Sequence, residues 1–280
     1  MPSLSTTMAK VMEITNDPNA TANELNQIIS LDPVLTGQVL KLINSAYYSL
    51  QNQITSLSRA IIMLGMNTVK NLALSTAVLE SMGNKHSFKA LSMDDFWTHS
   101  LGTGVLAKHL SSMLGIPVRD REEFFVAGLM HDLGKIPLNA VFPREYKTCI
   151  KVHLSRKIPL EKVEKNTFDL DHGEVGRRIA EKWRLNRPLH DAMGFHHQID
   201  EVSQPSSPAP FVVAVADAYT INMRIGTAGT MEVFSGNLSE MLIRSGLPLD
   251  MDINRLHETT LEELDKARIF LQVTQGDFNR

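Results

Sequence analysis

The sequence predicts an all-α protein, and three observations carry that expectation. Apolar residues recur at a period near 3.6 along almost the whole chain, which is the spacing of one helix face. Runs of alternating β-branched residues, the mark of half-buried strands, are lacking. Helix-start chemistry stands ahead of the periodic runs, at Thr21, Asp32, Ser92 and Asp171.

The elements follow in order. Thr21-Ala-Asn-Glu24 is a capping box, a hydroxyl and a carboxylate three residues apart that satisfy the exposed amides of a helix start. Leu25, Ile28 and Ile29 continue it to about Leu31. Asp32-Pro33 restarts a helix, with Asp as N-cap and Pro where its missing N–H costs nothing. Val34, Leu35, Val39, Leu42 and Ile43 form its apolar face. After a polar break, Ser49–Ser56, a helix carries Leu57, Ala60, Ile61 and Leu64 and stops at Gly65. The next covers 67–82, and the polar stretch 83–91 reads as a linker.

Ser92-Met-Asp-Asp95 opens a helix with acids in its positive first turn. It ends at Gly115-Ile-Pro117, and a helix over about 121–132 follows. Residues 143–170 read as one or two amphipathic helices. Asp171 and Glu174 cap another, whose inner face is Val175, Ile179 and Trp183. Pro188 opens a segment ending in Phe195-His196-His197, and the Ser/Pro-rich stretch 200–210 reads as a surface loop. Residues 211–218 form an apolar helix with one acid, Asp217. The tail holds a short helix near 236–245 and a last one over about 259–273, begun by a capping box at Thr259 and Glu262. The expected division is 1–85, 92–225 and 226–280.

Composition narrows the function classes. A chain of 280 residues can bury a substantial core, and 43% hydrophobic with 21% charged residues is an ordinary globular balance. A net charge of −3 lacks the basic excess of a general nucleic-acid binder, so DNA is not an expected partner. The single cysteine, Cys149, excludes an internal disulfide and fits a reducing compartment. No secretory pattern opens the chain, and the apolar run Phe211–Ala216 meets Asp217 far short of membrane-spanning length. A cytoplasmic location with no membrane partner is expected.

The segments ELNQIISLDPVLTGQVLKLINSAYYSL (24–50) and ITSLSRAIIMLGMNTVKNLAL (54–74) resemble the HDOD (HD-related output) domain. That family's DP-x-L-T helix, N-S-A-Y turn and A-I-x-x-L-G helix appear here in order and spacing, and the resemblance covers roughly residues 1–200. It implies an N-terminal helical bundle packed on an HD-type bundle. These segments demand no chemistry themselves, and Asn44 and Ser45 read as buried polar turn-makers.

Chemistry gathers around GLMHDLGKIPL, residues 128–138. His131 and Asp132 offer an imidazole nitrogen and a carboxylate in consecutive positions, a donor set for first-row divalent metals. One such pair cannot hold a catalytic metal, and His190-Asp191 repeats the dipeptide, so the pair has meaning only with further donors. His99, His172, His196, His197 and Asp217 are the candidates, though each histidine alone could be an ordinary helix or loop residue. Asp217 is hardest to dismiss, since an acid inside FVVAVADA is costly to bury unless paired or metal-bound. Asp95 lies four residues before His99 and shares its helix face.

The order H…HD…D, here His99, His131, Asp132 and Asp217, resembles the HD phosphohydrolase superfamily. His172, His196 and His197 resemble the added donors of its binuclear members, including the HD-GYP cyclic-dinucleotide phosphodiesterases, and Lys135 completes their HD-x-G-K form. The resemblance implies one ion held by His99, His131, Asp132 and Asp217. It implies a second held by His172, His196 and His197, with Asp132 bridging and Asp95 as an additional candidate. Two ions roughly 3.5–4 Å apart clamp phosphate oxygens and make water nucleophilic near neutral pH. Asp132 and Lys135 would be catalytic, Lys135 adding positive charge beside the scissile phosphate. The donors suit one or two divalent ions of iron, manganese, zinc or nickel.

The expectation is a metal-dependent phosphohydrolase acting on a phosphorylated small molecule or nucleotide, a phosphodiesterase among the options. After His197 the chain reads QIDEVSQPSSPAP without a G-Y-P motif, so the HD-GYP substrate is not implied. The alternative of another class is an HDOD signalling output module that binds a ligand or protein partner, with a structural or vestigial metal site. A histidine cluster without metal is the third.

Overall fold

The computed structural model describes residues 5–17, 19–82, 85–202, 206–230 and 238–274, and within them the chain forms sixteen α-helices and no strand. The first five are α1 (Thr6–Thr15), α2 (Ala22–Ser30), α3 (Pro33–Ile43), α4 (Leu57–Leu64) and α5 (Met66–Met82). Helix α1 is not among the expected elements. It is only ten residues long, but Ser5 caps it and Met8, Val11 and Met12 bury an i, i+3, i+4 face. The cap chemistry acts as the sequence indicates: Thr21 and Glu24 form both halves of their box, and Asp32 accepts from Leu35 N. Asn44 ties a loop together, donating to Leu40 O and Ile54 O and accepting from Ile54 N. It does so exposed rather than buried.

Eight helices follow: α6 (Met93–Met113), α7 (Arg121–Met130), α8 (Lys135–Val141), α9 (Pro143–Arg156), α10 (Leu160–Phe168), α11 (His172–Lys182), α12 (Arg187–Phe195) and α13 (Ala209–Asn222). Helix α7 stops before the His-Asp pair instead of running through it. His131 is its C-cap, and tight-turn bonds from Leu133 N to Met130 O and from Lys135 N to Asp132 O swing the chain into α8. The chain closes with α14 (Leu238–Ser245), α15 (Ile253–Ala267) and α16 (Ile269–Thr274). The capping box expected at Thr259 is corrected by the structure. Asp252 accepts from Asn254 N and Arg255 N and starts α15 earlier, leaving Thr259 and Glu262 inside the helix. Residues 83–84 of the expected linker, 203–205 of the expected loop and 236–237 of the expected short helix lie outside the described residues.

Helix α6 is the central element, packed against α7, α13 and α15, while α12 bridges α11, α13 and α7. Helix α5 lies on α7 and joins the first helices to the second set, and α16 returns onto α3 and α5. Apolar side chains from Met8 to Val273 form one continuous buried cluster. Among the described residues no helix is long and apolar enough to cross a membrane.

Candidate metal centre

Close backbone contacts assemble this site. Helices α6 and α7 meet at two glycines: a Cβ on Gly128 would lie 2.7 Å from Gly104 Cα. That approach sets His99, in the second turn of α6, beside His131 at the end of α7, with ring centroids 5.3 Å apart. The turn after α7 then presses on the start of α11, where a Cβ on Gly134 would fall 1.9 Å from His172 O. Only glycine allows the His131-Asp132 turn to meet His172. The end of α12 supplies His196 and His197, and α13 supplies Asp217.

Asp132 is the hub. Its Oδ2 lies 3.4 Å from His131 Nε2 and 3.8 Å from His99 Nε2, while Oδ1 lies 3.4 Å from His172 Nε2 and 3.6 Å from His196 Nε2. Asp217 Oδ1 stands 3.0 Å from His99 Nε2 and 3.4 Å from His131 Nε2. The potential donors fall into two groups, His99/His131/Asp217 and Asp132/His172/His196/His197, each with donor atoms within 4.8 Å of one another. All are buried except His197, which is half-buried.

The outer sides of three rings are anchored. His131 Nδ1 meets Gly128 O at 2.7 Å, His196 Nδ1 meets Ala192 O at 3.0 Å, and His172 Nδ1 meets the Glu164 carboxylate at 2.6 Å. A carbonyl or carboxylate partner fixes a proton on Nδ1, so Nε2 is the nitrogen of each ring that faces inward, where a metal ion or a proton can occupy it. The Nε2 atoms of His99, His131, His172 and His196 and the Oδ1 atoms of Asp132 and Asp217 form no hydrogen bond. Buried polar atoms are ordinarily satisfied, so six orphans gathered into two adjoining groups call for an explanation. Separations of 3.0–3.6 Å between the facing nitrogens and oxygens are those of donors sharing an ion at bond lengths of about 2.0–2.2 Å.

Residues 1–199 match the HDOD domain. The chain belongs to the HDOD family. A crystal structure of an HDOD domain protein of unknown function from Geobacter sulfurreducens superposes with a TM-score of 0.78 at 26% identity, covering 97% of this chain and 94% of that one. A Shewanella amazonensis SB2B protein assigned as a phosphohydrolase superposes with a TM-score of 0.74, covering 98% and 95% of the two chains. At 20% identity that likeness is one of fold alone. A curated relative, an uncharacterized protein of Treponema pallidum (strain Nichols), is 24% identical over 78% of this chain. The match spans 41% of that relative, so the HDOD chain corresponds to less than half its length.

Two other carboxylates of this HDOD chain stay outside the cluster. Asp95 is exposed in the first turn of α6. Asp191, partner in the second His-Asp dipeptide, is engaged by His190 Nδ1 at 2.9 Å and by Arg187 Nε at 2.6 Å. Lys135 is buried, and its Nζ donates to Asp132 Oδ2 at 2.7 Å and to Thr230 Oγ1 at 2.9 Å.

Glu164, Tyr146 and Thr230 join the HDOD site without having stood out in the sequence. Glu164 Oε2 accepts both the backbone N–H and Nδ1–H of His172, and Oε1 accepts the Tyr146 hydroxyl. Its signal was a carboxylate at an inner position beside Leu160 and Val163 on an amphipathic helix. Burial alone would lower the His131 pKa, but the Asp132 and Asp217 carboxylates outweigh it and raise it to about 10. Burial would raise the carboxyls of Asp132 and Asp217, yet the facing histidines, with Lys135 at Asp132, hold both well below the usual carboxylate range. Burial lowers His196 and His197, keeping those rings neutral and able to donate a lone pair.

Proposed function

We propose that this chain is a metal-dependent phosphohydrolase of the HD type acting on a phosphorylated small molecule or nucleotide, with one or two divalent transition-metal ions. The observation that carries this reading is the convergence of six buried, unbonded nitrogen and oxygen atoms from five segments of chain. His99, His131, Asp132 and Asp217 would hold one ion, and His172, His196 and His197 a second, with Asp132 shared. When bound, such ions supply Lewis-acid activation of phosphate and of a nucleophilic water.

The chain's own residues do the rest. Asp132, kept ionised by His131 and Lys135, offers an oxygen to each donor group. Asp217, ionised beside His131 and His99, balances the positive charge gathered there. Glu164 holds the His172 ring with Nε2 facing inward. Lys135 would bring a positive charge to the substrate phosphate once that phosphate takes the place of the Thr230 hydroxyl. The enclosing helices exclude bulk water, which strengthens each of these charge interactions.

Elemental analysis of purified protein should find about two transition-metal ions per chain, as the two donor groups require. A panel of phosphomonoesters and phosphodiesters should reveal turnover that disappears in Asp132→Ala. Turnover indifferent to that substitution would refute the assignment. One observation favours a second reading, the signalling output module with a structural metal site. Lys135 is 1% exposed and already paired at both Asp132 and Thr230. Stoichiometric metal with every ester of the panel intact would establish that reading over the enzyme.

A further inference from the structure

The three rings with anchored outer nitrogens do not rest on the same kind of partner. His131 and His196 rest on backbone carbonyls, Gly128 O and Ala192 O, which the helices α7 and α12 hold in place. His172 alone of the three rests on a side chain, the Glu164 carboxylate of α10. A glutamate turns about several bonds, so this anchor is only as firm as whatever holds Glu164.

Tyr146 of α9 supplies that hold. Its hydroxyl donates to Glu164 Oε1 at 2.8 Å, while Oε2 accepts the His172 backbone N–H at 2.9 Å and Nδ1–H at 2.6 Å. Both oxygens are engaged, so the carboxylate cannot turn without giving up a bond. Tyr146, Glu164 and His172 are each 0% exposed, and bulk water offers no substitute partner.

Packing accounts for the ring of Tyr146 but not for its hydroxyl. The ring lies nearly parallel to Phe168, with centroids 6.5 Å apart and planes at 25°. Phenylalanine would fill the same place, and a buried hydroxyl is costly unless it has a partner. Burial, and then the neighbouring Glu164 carboxylate, push the Tyr146 phenol well above its usual pKa, so it keeps its proton and acts as a donor. The line of contacts runs from α9 through α10 to the first turn of α11, and ends in the group Asp132/His172/His196/His197.

We propose that Tyr146 is a positioning residue of the candidate metal centre: by holding Glu164 through Oε1 it aims the His172 ring, and so sets how tightly the His172 group keeps its ion. The inference rests on the metal reading above. Without the hydroxyl, Glu164 Oε1 is buried and unpaired, and the carboxylate relieves that cost by turning, which loosens its bond to His172 Nδ1. The ring then loses the fixed aim that an oriented ligand needs. The His99/His131/Asp217 group has no contact with Glu164 and keeps its own affinity.

Tyr146→Phe keeps the ring and removes only the hydroxyl. Competition of the full chain, loaded with zinc, against a graded chelator tests the proposal. Tyr146→Phe should hold one of its ions about tenfold more weakly than the wild type, with the other unmoved. The double variant Tyr146→Phe/Glu164→Gln should hold that ion no more weakly than Glu164→Gln alone, because Tyr146 acts through Glu164. A residue that merely fills the core would add its effect instead. Proton NMR of the metal-free chain gives a readout that needs no ion. The enclosed His172 Nδ1–H, assigned by its absence in His172→Gln, should exchange slowly in the wild type and faster in Tyr146→Phe. Unchanged ion affinity in Tyr146→Phe, equal loosening of both ions, additive effects in the double variant, or exchange at the wild-type rate would each overturn the proposal. A wild-type chain that retains no ion would overturn the metal reading and this inference together, whereas wild-type ions untouched by Tyr146→Phe would overturn this inference alone.

Discussion

Glu164 bears on the proposed metal centre only through His172. With one oxygen it takes the Nδ1–H and backbone N–H of His172, and with the other the Tyr146 hydroxyl. Partners of this kind contribute about 10–100-fold to metal affinity. Glu164→Gln should therefore release the ion of the His172 group on dialysis and leave the His99 group loaded, halving the metal content with unchanged helicity. An undiminished metal content would show that His172 needs no such orientation. A second residue-scale consequence concerns His131, whose pKa is raised to about 10 by Asp132 and Asp217 against the effect of burial. A group whose folded pKa lies above its unfolded value of about 6.5 stabilises fully below that value and loses the contribution as pH climbs toward the folded one. Metal-free protein should thus lose thermal stability between about pH 7 and 9.5, whereas metal, standing where the proton stood, should suppress the loss and bind more tightly as pH rises. A chelated sample whose Tm is flat over that range would contradict the assignment. The candidate donors were legible because imidazoles and carboxylates at the ends of apolar runs are conspicuous. Glu164 was not, since a carboxylate on an inner face gives no hint of which distant ring it meets.

Gly134 shows how elements, rather than side chains, set the distances. The turn between α7 and α8 lies so near the first turn of α11 that an added Cβ would fall 1.9 Å from His172 O and 2.8 Å from Gly176 N, both backbone atoms that cannot rotate away. Gly134→Ala should cost about 1–3 kcal/mol by overpacking and should part Asp132 from His172. Lower Tm together with loss of the shared ion is the expected outcome, and wild-type metal content would argue that the turn can shift freely. Most helix positions were readable from period and caps, but their exact limits depended on competition between local signals. Thr259-x-x-Glu262 has the chemistry of a helix start, yet Asp252 captures two amides seven residues earlier, and the neighbouring Thr260 hydroxyl donates back to Leu256 O. Likewise the end of α7 is imposed by the approach of α11, a contact between segments about 40 residues apart that no local pattern encodes.

Across the whole molecule, one apolar cluster joins the first helices, the HD-type bundle and the returning C-terminal helix. Phe270 of α16 is fully buried against Phe125 at 4.8 Å and Tyr47 at 5.4 Å between ring centroids. Phe270→Ala should cost about 3–5 kcal/mol and lower a single unfolding transition; two separate transitions would mean that the groups fold independently. The proposed ions would act on this same cooperative unit, because their donors come from α6, α13 and the ends of α7, α11 and α12. An ion that binds only the folded chain stabilises it by about 2.7 kcal/mol at a hundredfold excess over its Kd. For domains of comparable size each kcal/mol moves Tm by about 2–4 °C, so chelation should lower Tm by about 5–10 °C. The Asp132→Ala protein, deprived of the shared carboxylate, should melt at the same temperature with and without chelator. A wild-type Tm indifferent to chelation, in protein first shown to contain the metal, would mean that the ions do not tie these five helices together.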